Sequence, residues 1–180
     1  KRHGHAVSIF DQSLGPVHRW KEGFRKGYSD DRLFQEVRES EAKVIGISAN
    51  FSMYFNDVIE LCSGIKKHYP ERKIVLGGAH CTLNYEEIMQ RVPCDIVVRG
   101  EGEMAFSEIL AELPLEGLKG ISYRKGGRVF HNADRDFIKD LDSLGIPDYT
   151  LLDFPAYFKQ DVYAHAAYPS AVVFSSRGCP

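Results

Sequence analysis

The 180-residue sequence has no long hydrophobic run and no excess of charge of one sign. A membrane-spanning helix needs about 20 consecutive apolar residues, and no segment comes close, so we expect no membrane span. Lysine and arginine total 23 and aspartate and glutamate total 25, which gives a net charge of -2. A nucleic-acid-binding surface normally shows as a basic domain or stripe, so we expect no nucleic-acid partner.

Cysteine is also scarce, since four cysteines are too few to form a disulfide framework in a chain of this length. Cys81 and Cys94 lie thirteen positions apart and belong to no CxxC motif, which disfavours a zinc site. Residues 1–5 are polar or glycine, and no apolar segment typical of a signal peptide follows them. Together these features predict a cytoplasmic protein.

Two common phosphate-binding motifs are missing. The sequence contains neither Gly-x-Gly-x-x-Gly nor the Walker pattern, which disfavours a dinucleotide-binding site and an NTPase. The chain begins on Lys1 rather than methionine, and it ends on a Gly-Cys-Pro turn directly after an apolar run at 171–174. We therefore interpret the sequence as a piece of a longer protein.

What the sequence does contain is an alternation of strand-like and helix-like segments, which favours an α/β fold with a parallel sheet covered by helices on both faces. Short apolar runs predict strands at 6–10, 43–48, 73–76 and 95–98. Helical spacing of apolar residues predicts helices at 30–39, 55–68, 84–89 and 104–113, and residues 13–28 are predicted to form a loop.

The pattern changes after Pro114. Two short β segments flank Gly126 and Gly127, which predicts a β-hairpin. Residues 134–149 are polar and contain proline, as in a linker with local turns. We predict a domain at 1–118, a hairpin and linker at 119–169, and the start of a second domain at 170–180.

The candidate site lies where the parallel strands end, because ligands of open parallel sheets bind beyond the carboxyl ends of the strands. We call this side of the sheet the carboxyl edge. Glycines there allow close approach of a ligand to the backbone, and a serine hydroxyl can donate and accept hydrogen bonds. The alternative interpretation of each loop is that it is only a tight strand-to-helix turn and binds no ligand. The candidate residues are Ser48, Ala49, Asn50, Gly77, Gly78, His80, Arg99, Gly100, Glu101 and Gly102.

Glu101 and Glu103 suggest a catalytic carboxylate pair, but a helix dipole accounts for them better. Both precede or begin a predicted helix, where the positive end of the dipole favours negative charge.

Several segments resemble one family in combination. They are Gly4-His5-Ala6-Val7, the run 44–48, Gly77-Gly78-Ala79-His80, the run 95–103 with its Arg-Gly-Glu-Gly-Glu sequence, the linker 140–149 and Ser176-Arg177-Gly178-Cys179-Pro180. The sequence resembles the cobalamin-binding N-terminal domain of class B radical S-adenosylmethionine enzymes, of the magnesium-protoporphyrin monomethyl ester cyclase and cobalamin-dependent methyltransferase type. The resemblance implies a flavodoxin-like (Rossmann-like) three-layer domain.

The resemblance also implies roles for the matched positions. Ser48 would contact the buried nucleotide tail of cobalamin, Gly77 and Gly78 would line its channel, and residues 100–102 would lie beside the corrin. Asn50 departs from the family, where a small apolar residue is common. Cys179 would be the first thiolate ligand of a 4Fe–4S cluster that cleaves S-adenosylmethionine.

For the whole protein, the resemblance implies methyl transfer or ring-forming oxidation of a small-molecule substrate held by a domain beyond this chain. The chain itself would bind cobalamin but lack the radical machinery. The family's first strand would precede Lys1. In strand order 2-1-3-4-5 its loss would leave both 6–10 and 44–48 without a neighbour.

Two alternatives stay open. The chain could be a non-catalytic recognition domain that keeps the fold and has lost the cofactor, in which case bulky groups should fill the tail channel. It could also be a flavin or receiver domain, but a receiver needs clustered acidic residues, and Asp11 is the only strand-end carboxylate before Glu101. The sequence leaves open the substrate, the choice between methyl transfer and cyclisation, a histidine ligand to cobalt and the oligomeric state.

Overall fold

A computed structural model describes residues 4–158 and Arg177. The chain divides into two compact units, one formed by residues 4–6 and 30–146 and the other by residues 7–29 and 147–158. In chain order the strands are β1 Val17–Trp20, β2 Gly23–Lys26, β3 Val44–Ser48, β4 Lys73–Gly77, β5 Ile96–Val98, β6 Ile121–Lys125 and β7 Arg128–His131. The α-helices are α1 Asp30–Glu39, α2 Phe55–His68, α3 Ala79–Leu83, α4 Tyr85–Arg91, α5 Glu103–Leu110 and α6 Phe154–Phe158.

The first unit contains a five-stranded sheet in the order β3-β4-β5-β6-β7. Strands β3, β4 and β5 are parallel, and the register of the first pair runs from Val44 opposite Lys73 to Ser48 opposite Gly77. Strand β6 runs antiparallel to β5 and forms a hairpin with β7. The predicted α/β fold and the predicted hairpin are therefore confirmed, and the hairpin extends the same sheet.

Helices cover both faces of this sheet, because the side chains of each central strand alternate between two apolar clusters. On β4, Ile74 and Leu76 join the cluster on the side of α2 and α4, while Val75 joins the cluster on the side of α5. Gly46 on β3 faces α5, where a Cβ would lie 3.2 Å from the Phe106 ring. The result is the three-layer arrangement of a flavodoxin-like domain.

Residues 6–10 are not a strand, so this part of the prediction is wrong. Val7 and Ile9 are exposed to solvent, and among the described strands only β4 pairs with β3. An apolar run becomes a strand only where a neighbour accepts its backbone hydrogen bonds, and here none does. The sheet therefore leaves one row of β3 backbone groups unpaired within the described residues, rather than two rows.

The second unit contains the hairpin of β1 and β2, so the loop predicted at 13–28 is wrong over residues 17–26. The turn places Lys21 at φ 51°, where glycine or asparagine is usual, and Gly23 comes only after the turn. The usual sequence signal of a two-residue hairpin turn is therefore absent.

In the same unit, the Tyr157 hydroxyl donates a hydrogen bond to the Asp11 carboxylate.

Two further findings concern the ends of elements and of the chain. Helix α5 ends at Leu110, earlier than the predicted 113, and Glu112 follows at φ 56°. The apolar run at 171–174 and the predicted start of a second domain lie outside the described residues. No helix in the described ranges has the length and apolar character to span a bilayer.

Candidate functional site

The three parallel strands end side by side, as expected. Ser48 pairs with Gly77 in the sheet register, and a Cβ built on Gly77 would lie 4.0 Å from the Cβ of Val98. The Ala49 N–H donates to the Gly77 carbonyl at 2.7 Å, and the Ala49 carbonyl accepts the His80 N–H at 3.2 Å. The loops that follow β3 and β4 are therefore hydrogen-bonded to each other at the carboxyl edge.

Asn50 joins the first of these loops to the second. Its Oδ1 accepts the N–H of Ala79 at 3.2 Å, and its Nδ2 donates to the Ser48 hydroxyl at 3.2 Å. Both ends of the amide are therefore used within the protein. These two hydrogen bonds give a physical reason for a polar residue at position 50.

Thr82 joins the second loop to the third, and sequence reasoning missed it. Its hydroxyl donates to the Gly78 carbonyl and accepts the N–H of Gly100, both at 3.0 Å. The first of these bonds spans four residues, the common pattern in which a helical threonine bonds a carbonyl one turn earlier. That spacing from Gly78 is the only sequence signal that could have identified Thr82.

The glycines at the carboxyl edge differ in what surrounds them. Gly78 has φ 105°, and a Cβ there would lie 2.6 Å from Oδ1 of Asn50 and 2.8 Å from the Ala49 carbonyl oxygen. Gly77 has only Val98 nearby, Gly100 has φ 71° with no atom within 4 Å, and Gly102 is 3.6 Å from Val98. Glycine at 78 is required by the protein's own packing, whereas Gly77 and Gly100 leave open space.

The Arg99 side chain is buried, and its hydrogen bonds are made inside the protein. Its guanidinium donates to the Ser122 hydroxyl at 2.7 Å, to the Asn132 carbonyl and to the Asp134 carboxylate at 2.9 Å. It also lies over the Tyr85 ring, 4.4 Å from the centroid. The side chain therefore fixes the end of β5 to the hairpin and the following segment.

The two glutamates of the third loop also serve local structure. Oε2 of Glu101 accepts the N–H of Ile138 at 2.6 Å, which ties this loop to the segment that follows β7. Gly102 is the N-cap of α5, and Glu103 lies in its first turn, where the helix dipole favours it as expected.

His80 lies in a cluster of polar and aromatic groups. Its Nδ1 is 2.8 Å from the Ser52 hydroxyl and 3.2 Å from Nδ2 of Asn84, and its ring centroid is 4.2 Å from that of Phe55. Asn84 precedes α4 and has Glu87 three residues later, which is the spacing of a capping box, but it makes no side-chain cap bond. Its amide instead turns back to the His80 carbonyl at 3.0 Å.

Several exposed apolar side chains lie in the segments that come after the parallel strands, and composition alone did not indicate this group. It lies in the segment between β3 and α2, at the end of α3 and at the start of α5. Its members are Phe51, Met53, Tyr54, Leu83 and Met104, all between 46% and 80% exposed. The carboxyl edge therefore combines open backbone at two glycines with apolar surface.

The described cysteines are buried core thiols. Burial raises the pKa of Cys62 and Cys94 to about 12 and that of Cys81 to about 11. Such thiols stay protonated near neutral pH and are poor metal ligands. Among the described residues no cluster of histidine, cysteine and carboxylate side chains could hold a metal. Cys179, the predicted cluster ligand, lies outside the described residues.

Curated relatives share most of this chain. It is 33% identical over 165 residues to an uncharacterized methyltransferase of Pyrococcus horikoshii, covering 86% of this chain and 34% of that protein. It is 25% identical over 161 residues to the anaerobic magnesium-protoporphyrin IX monomethyl ester cyclase of Cereibacter sphaeroides, covering 84% of this chain and 25% of that protein.

A third relative is the cytidylyl-2-hydroxyethylphosphonate methyltransferase of Streptomyces wedmorensis, 30% identical over 112 residues, which are 59% of this chain and 21% of that protein. The chain thus spans about a third or less of the length of these relatives. Residues 1–110 match the family model of the B12 binding domain, and this range contains every predicted residue of the carboxyl edge. The chain belongs to the B12-binding domain family.

Proposed function

We propose that this chain binds cobalamin at the carboxyl edge and acts as the cobalamin-binding module of a longer enzyme. The family match over residues 1–110 carries this function, because all three loops of the edge fall inside it. The three loops are also hydrogen-bonded to one another through Asn50 and Thr82, which makes them one preorganised surface.

The residues of the edge fit the proposed ligand by shape and polarity. Gly77 and Gly100 leave open the space that their side chains would fill, so a ligand can approach the backbone there. Ser48 is exposed and offers a hydroxyl beside Gly77. The exposed apolar group formed by Phe51, Met53, Tyr54, Leu83 and Met104 provides the surface against which a large macrocycle can be desolvated.

Within this function the residues divide into two roles. Ser48, Gly77, His80, Gly100 and Gly102 are the proposed ligand contacts, together with the backbone of Ala49, Asn50, Gly78, Arg99 and Glu101. The side chains of Asn50, Arg99 and Glu101 position the loops, because each is hydrogen-bonded inside the protein. Bound cobalamin would supply a cobalt centre for alkyl-transfer or redox chemistry.

For the whole protein we propose a radical S-adenosylmethionine enzyme that performs methyl transfer or ring-forming oxidation on a small molecule. The names of the relatives, two methyltransferases and a cyclase, support this class of activity. Cys179 is the proposed first thiolate of a 4Fe–4S cluster, and the substrate would bind a domain beyond this chain. Three free buried thiols fit a reducing, cytoplasmic location.

Retention of the cofactor tests the binding function directly. The chain is mixed with hydroxocobalamin, desalted, and its visible spectrum recorded. We expect retained corrin absorbance for the unchanged chain, partial loss for Gly77→Ala and near-complete loss for Gly77→Leu, because each side chain enters the open space beside Val98.

Gly117→Leu is the matched control, since Gly117 also has open space around it but lies on the turn Leu115–Gly117 after α5. It should retain cobalamin like the unchanged chain, with far-UV circular dichroism confirming that every variant is folded. Absence of corrin absorbance from the folded, unchanged chain contradicts the proposed binding.

One observation favours a second function, a recognition domain of the same fold without cofactor. At Gly78 the protein's own Asn50 and Ala49 take the space that a side chain would fill, so this part of the expected tail channel is occupied. The same experiment separates the two functions, because a recognition domain would retain no corrin in any variant.

A further inference from the structure

His80 offers one nitrogen to the protein and leaves the other exposed. Nδ1 lies within hydrogen-bond distance of Ser52 and Asn84. Nε2 of His80 has no hydrogen-bond partner among the described residues, and it is not one of their buried side-chain atoms that lack such a partner. The exposed nitrogen is at the carboxyl edge because the His80 N–H is bonded to the Ala49 carbonyl.

The orientation of Asn84 decides which nitrogen carries the proton. Nδ2 of Asn84 is 3.0 Å from the backbone carbonyl oxygen of His80, and a carbonyl only accepts, so the NH₂ group must face it. The same NH₂ group is 3.2 Å from Nδ1 of His80. Nδ1 must therefore be an acceptor, and the proton of the neutral ring is on Nε2.

The other neighbours hold the ring in this state. The Ser52 hydroxyl, 2.8 Å from Nδ1, can also donate to it, while the Phe55 ring packs against the imidazole in a tilted arrangement, 4.2 Å between centroids. Ser52 comes from the loop after β3 and Asn84 from the end of α3, so two separate elements fix one ring. A fixed donor loses less conformational freedom when it binds a ligand.

We propose that His80 presents Nε2–H as a fixed hydrogen-bond donor to an acceptor oxygen of the bound cofactor, with Ser52 and Asn84 as positioning residues. This rests on the proposed cobalamin function. Cobalamin carries such oxygens on the amide side chains of its corrin and on the phosphate of its nucleotide tail, and the donor fits either.

Binding of two corrinoids by matched variants tests the donor. His80→Leu removes the N–H, while His80→Gln keeps an amide N–H near the position of Nε2. We expect His80→Leu to weaken hydroxocobalamin binding about tenfold, the usual size for one hydrogen bond, and His80→Gln to recover part of it. His68→Leu, at the end of α2 away from the carboxyl edge, should bind like the unchanged chain.

Dicyanocobinamide distinguishes the two acceptors, since it keeps the corrin amides but lacks the phosphate and nucleotide tail. Equal weakening for both corrinoids assigns the acceptor to an amide, and weakening for hydroxocobalamin alone assigns it to the tail. If the unchanged chain binds hydroxocobalamin and His80→Leu binds it equally well, the donor role is wrong while the cobalamin function stands. If the unchanged chain binds neither corrinoid, both the donor role of His80 and the proposed cobalamin function are wrong.

A spectroscopic measurement checks the ring independently of binding. Long-range ¹⁵N–¹H NMR distinguishes Nδ1–H from Nε2–H imidazoles, and comparison with His80→Gln identifies His80 among the seven histidines. We expect the Nε2–H form in the free chain, and its signal should shift when hydroxocobalamin is added. Asn84→Ala should leave a mixture of the two forms. An Nδ1–H ring in the unchanged chain overturns the proposal.

Discussion

At the residue scale, Gly77 and Gly78 are neighbours with opposite requirements. Gly78 has a positive φ, and the Ala49 carbonyl occupies the space beside it, whereas Gly77 lies in ordinary strand geometry with open space. Glycine is therefore needed at the two positions for different reasons. At Gly78 it allows two loops to pack together, and at Gly77 it leaves the surface beside the backbone uncovered.

This difference predicts unequal effects of alanine on stability. Gly78→Ala should lower the free energy of unfolding by about 2–4 kcal/mol, because it adds backbone strain and a clash with backbone atoms. Gly77→Ala should change it by less than about 1 kcal/mol. Urea denaturation followed by far-UV circular dichroism measures both, and similar losses in the two variants would contradict the assignment of Gly78 to packing.

Residue types at the strand ends led us to predict a site at the carboxyl edge, but they did not indicate the hydrogen-bond partners of each side chain. Arg99 follows β5 at a position typical of ligand contacts, yet its guanidinium is buried against Ser122 and Asn132. Asn84 has the spacing of a helix cap, yet its amide bonds His80. Each of these side chains is hydrogen-bonded to a partner that only folding brings near. The spacing of residues in the sequence does not indicate which partner that is.

At the element scale, Arg99 connects the end of β5 to the hairpin of β6 and β7 and to the segment after it. Its partners are unequal, because Ser122 is fully buried while the Asp134 side chain is 89% exposed. An exposed ion pair contributes about 1 kcal/mol or less, whereas hydrogen bonds from a charged group to buried acceptors contribute more. The neutral acceptors therefore determine most of the stability that Arg99 provides.

Two variants separate these contributions. Arg99→Ala should lower the free energy of unfolding by about 2–4 kcal/mol, since it leaves the Ser122 hydroxyl and the Asn132 carbonyl without their donor. Asp134→Asn should change it by no more than about 1 kcal/mol. Thermal or urea unfolding checks both values, and an Asp134→Asn effect as large as that of Arg99→Ala would show that the ion pair dominates instead.

The same scale explains which elements the sequence could predict. Strands β3, β4 and β5 are short apolar runs between helical patterns, and all three were predicted because their environment is set by helices next to them in the chain. Residues 6–10 have the same apolar character but pair with no described strand, and Val7 and Ile9 stay exposed. Strands β1 and β2 were missed because Lys21 occupies the positive-φ turn position.

At the scale of the whole molecule, the chain contains two compact units, and the single tryptophan belongs to the smaller one. Trp20 lies on β1, while the five-stranded sheet and helices α1 to α5 belong to the larger unit. Tryptophan fluorescence therefore reports on the smaller unit, and far-UV circular dichroism reports mainly on the larger. The two signals allow the stability of each unit to be followed separately.

Tyr157 and Asp11 make the smaller unit sensitive to pH at both extremes. Burial raises the pKa of Tyr157 to about 12, and its hydrogen bond to Asp11 adds to this. Burial alone would raise the pKa of Asp11, but hydrogen bonds from Ser13 and Tyr157 lower it below its usual value. Folding thus favours the neutral phenol and the ionised carboxylate.

The sign of each effect follows from comparison with the unfolded chain, where tyrosine titrates near 10 and aspartate near 3.9. The Tyr157 contribution is complete below pH 10 and is lost as the pH rises toward 12. The Asp11 contribution is complete above about pH 4 and is lost as the pH falls below that. Since Tyr157 is partly exposed, we expect a loss of about 1 kcal/mol from pH 10 to 12 after allowing for solvent screening.

Urea denaturation followed by Trp20 fluorescence between pH 9 and 12 measures this loss, with Tyr157→Phe as the control. The unchanged chain should lose stability above pH 10 more steeply than Tyr157→Phe, because only the unchanged chain must ionise a phenol that donates to a carboxylate. Tyr157→Phe should also be less stable at pH 9, since Asp11 loses a donor. Parallel pH curves for the two proteins would mean that this hydrogen bond does not control the titration of the smaller unit.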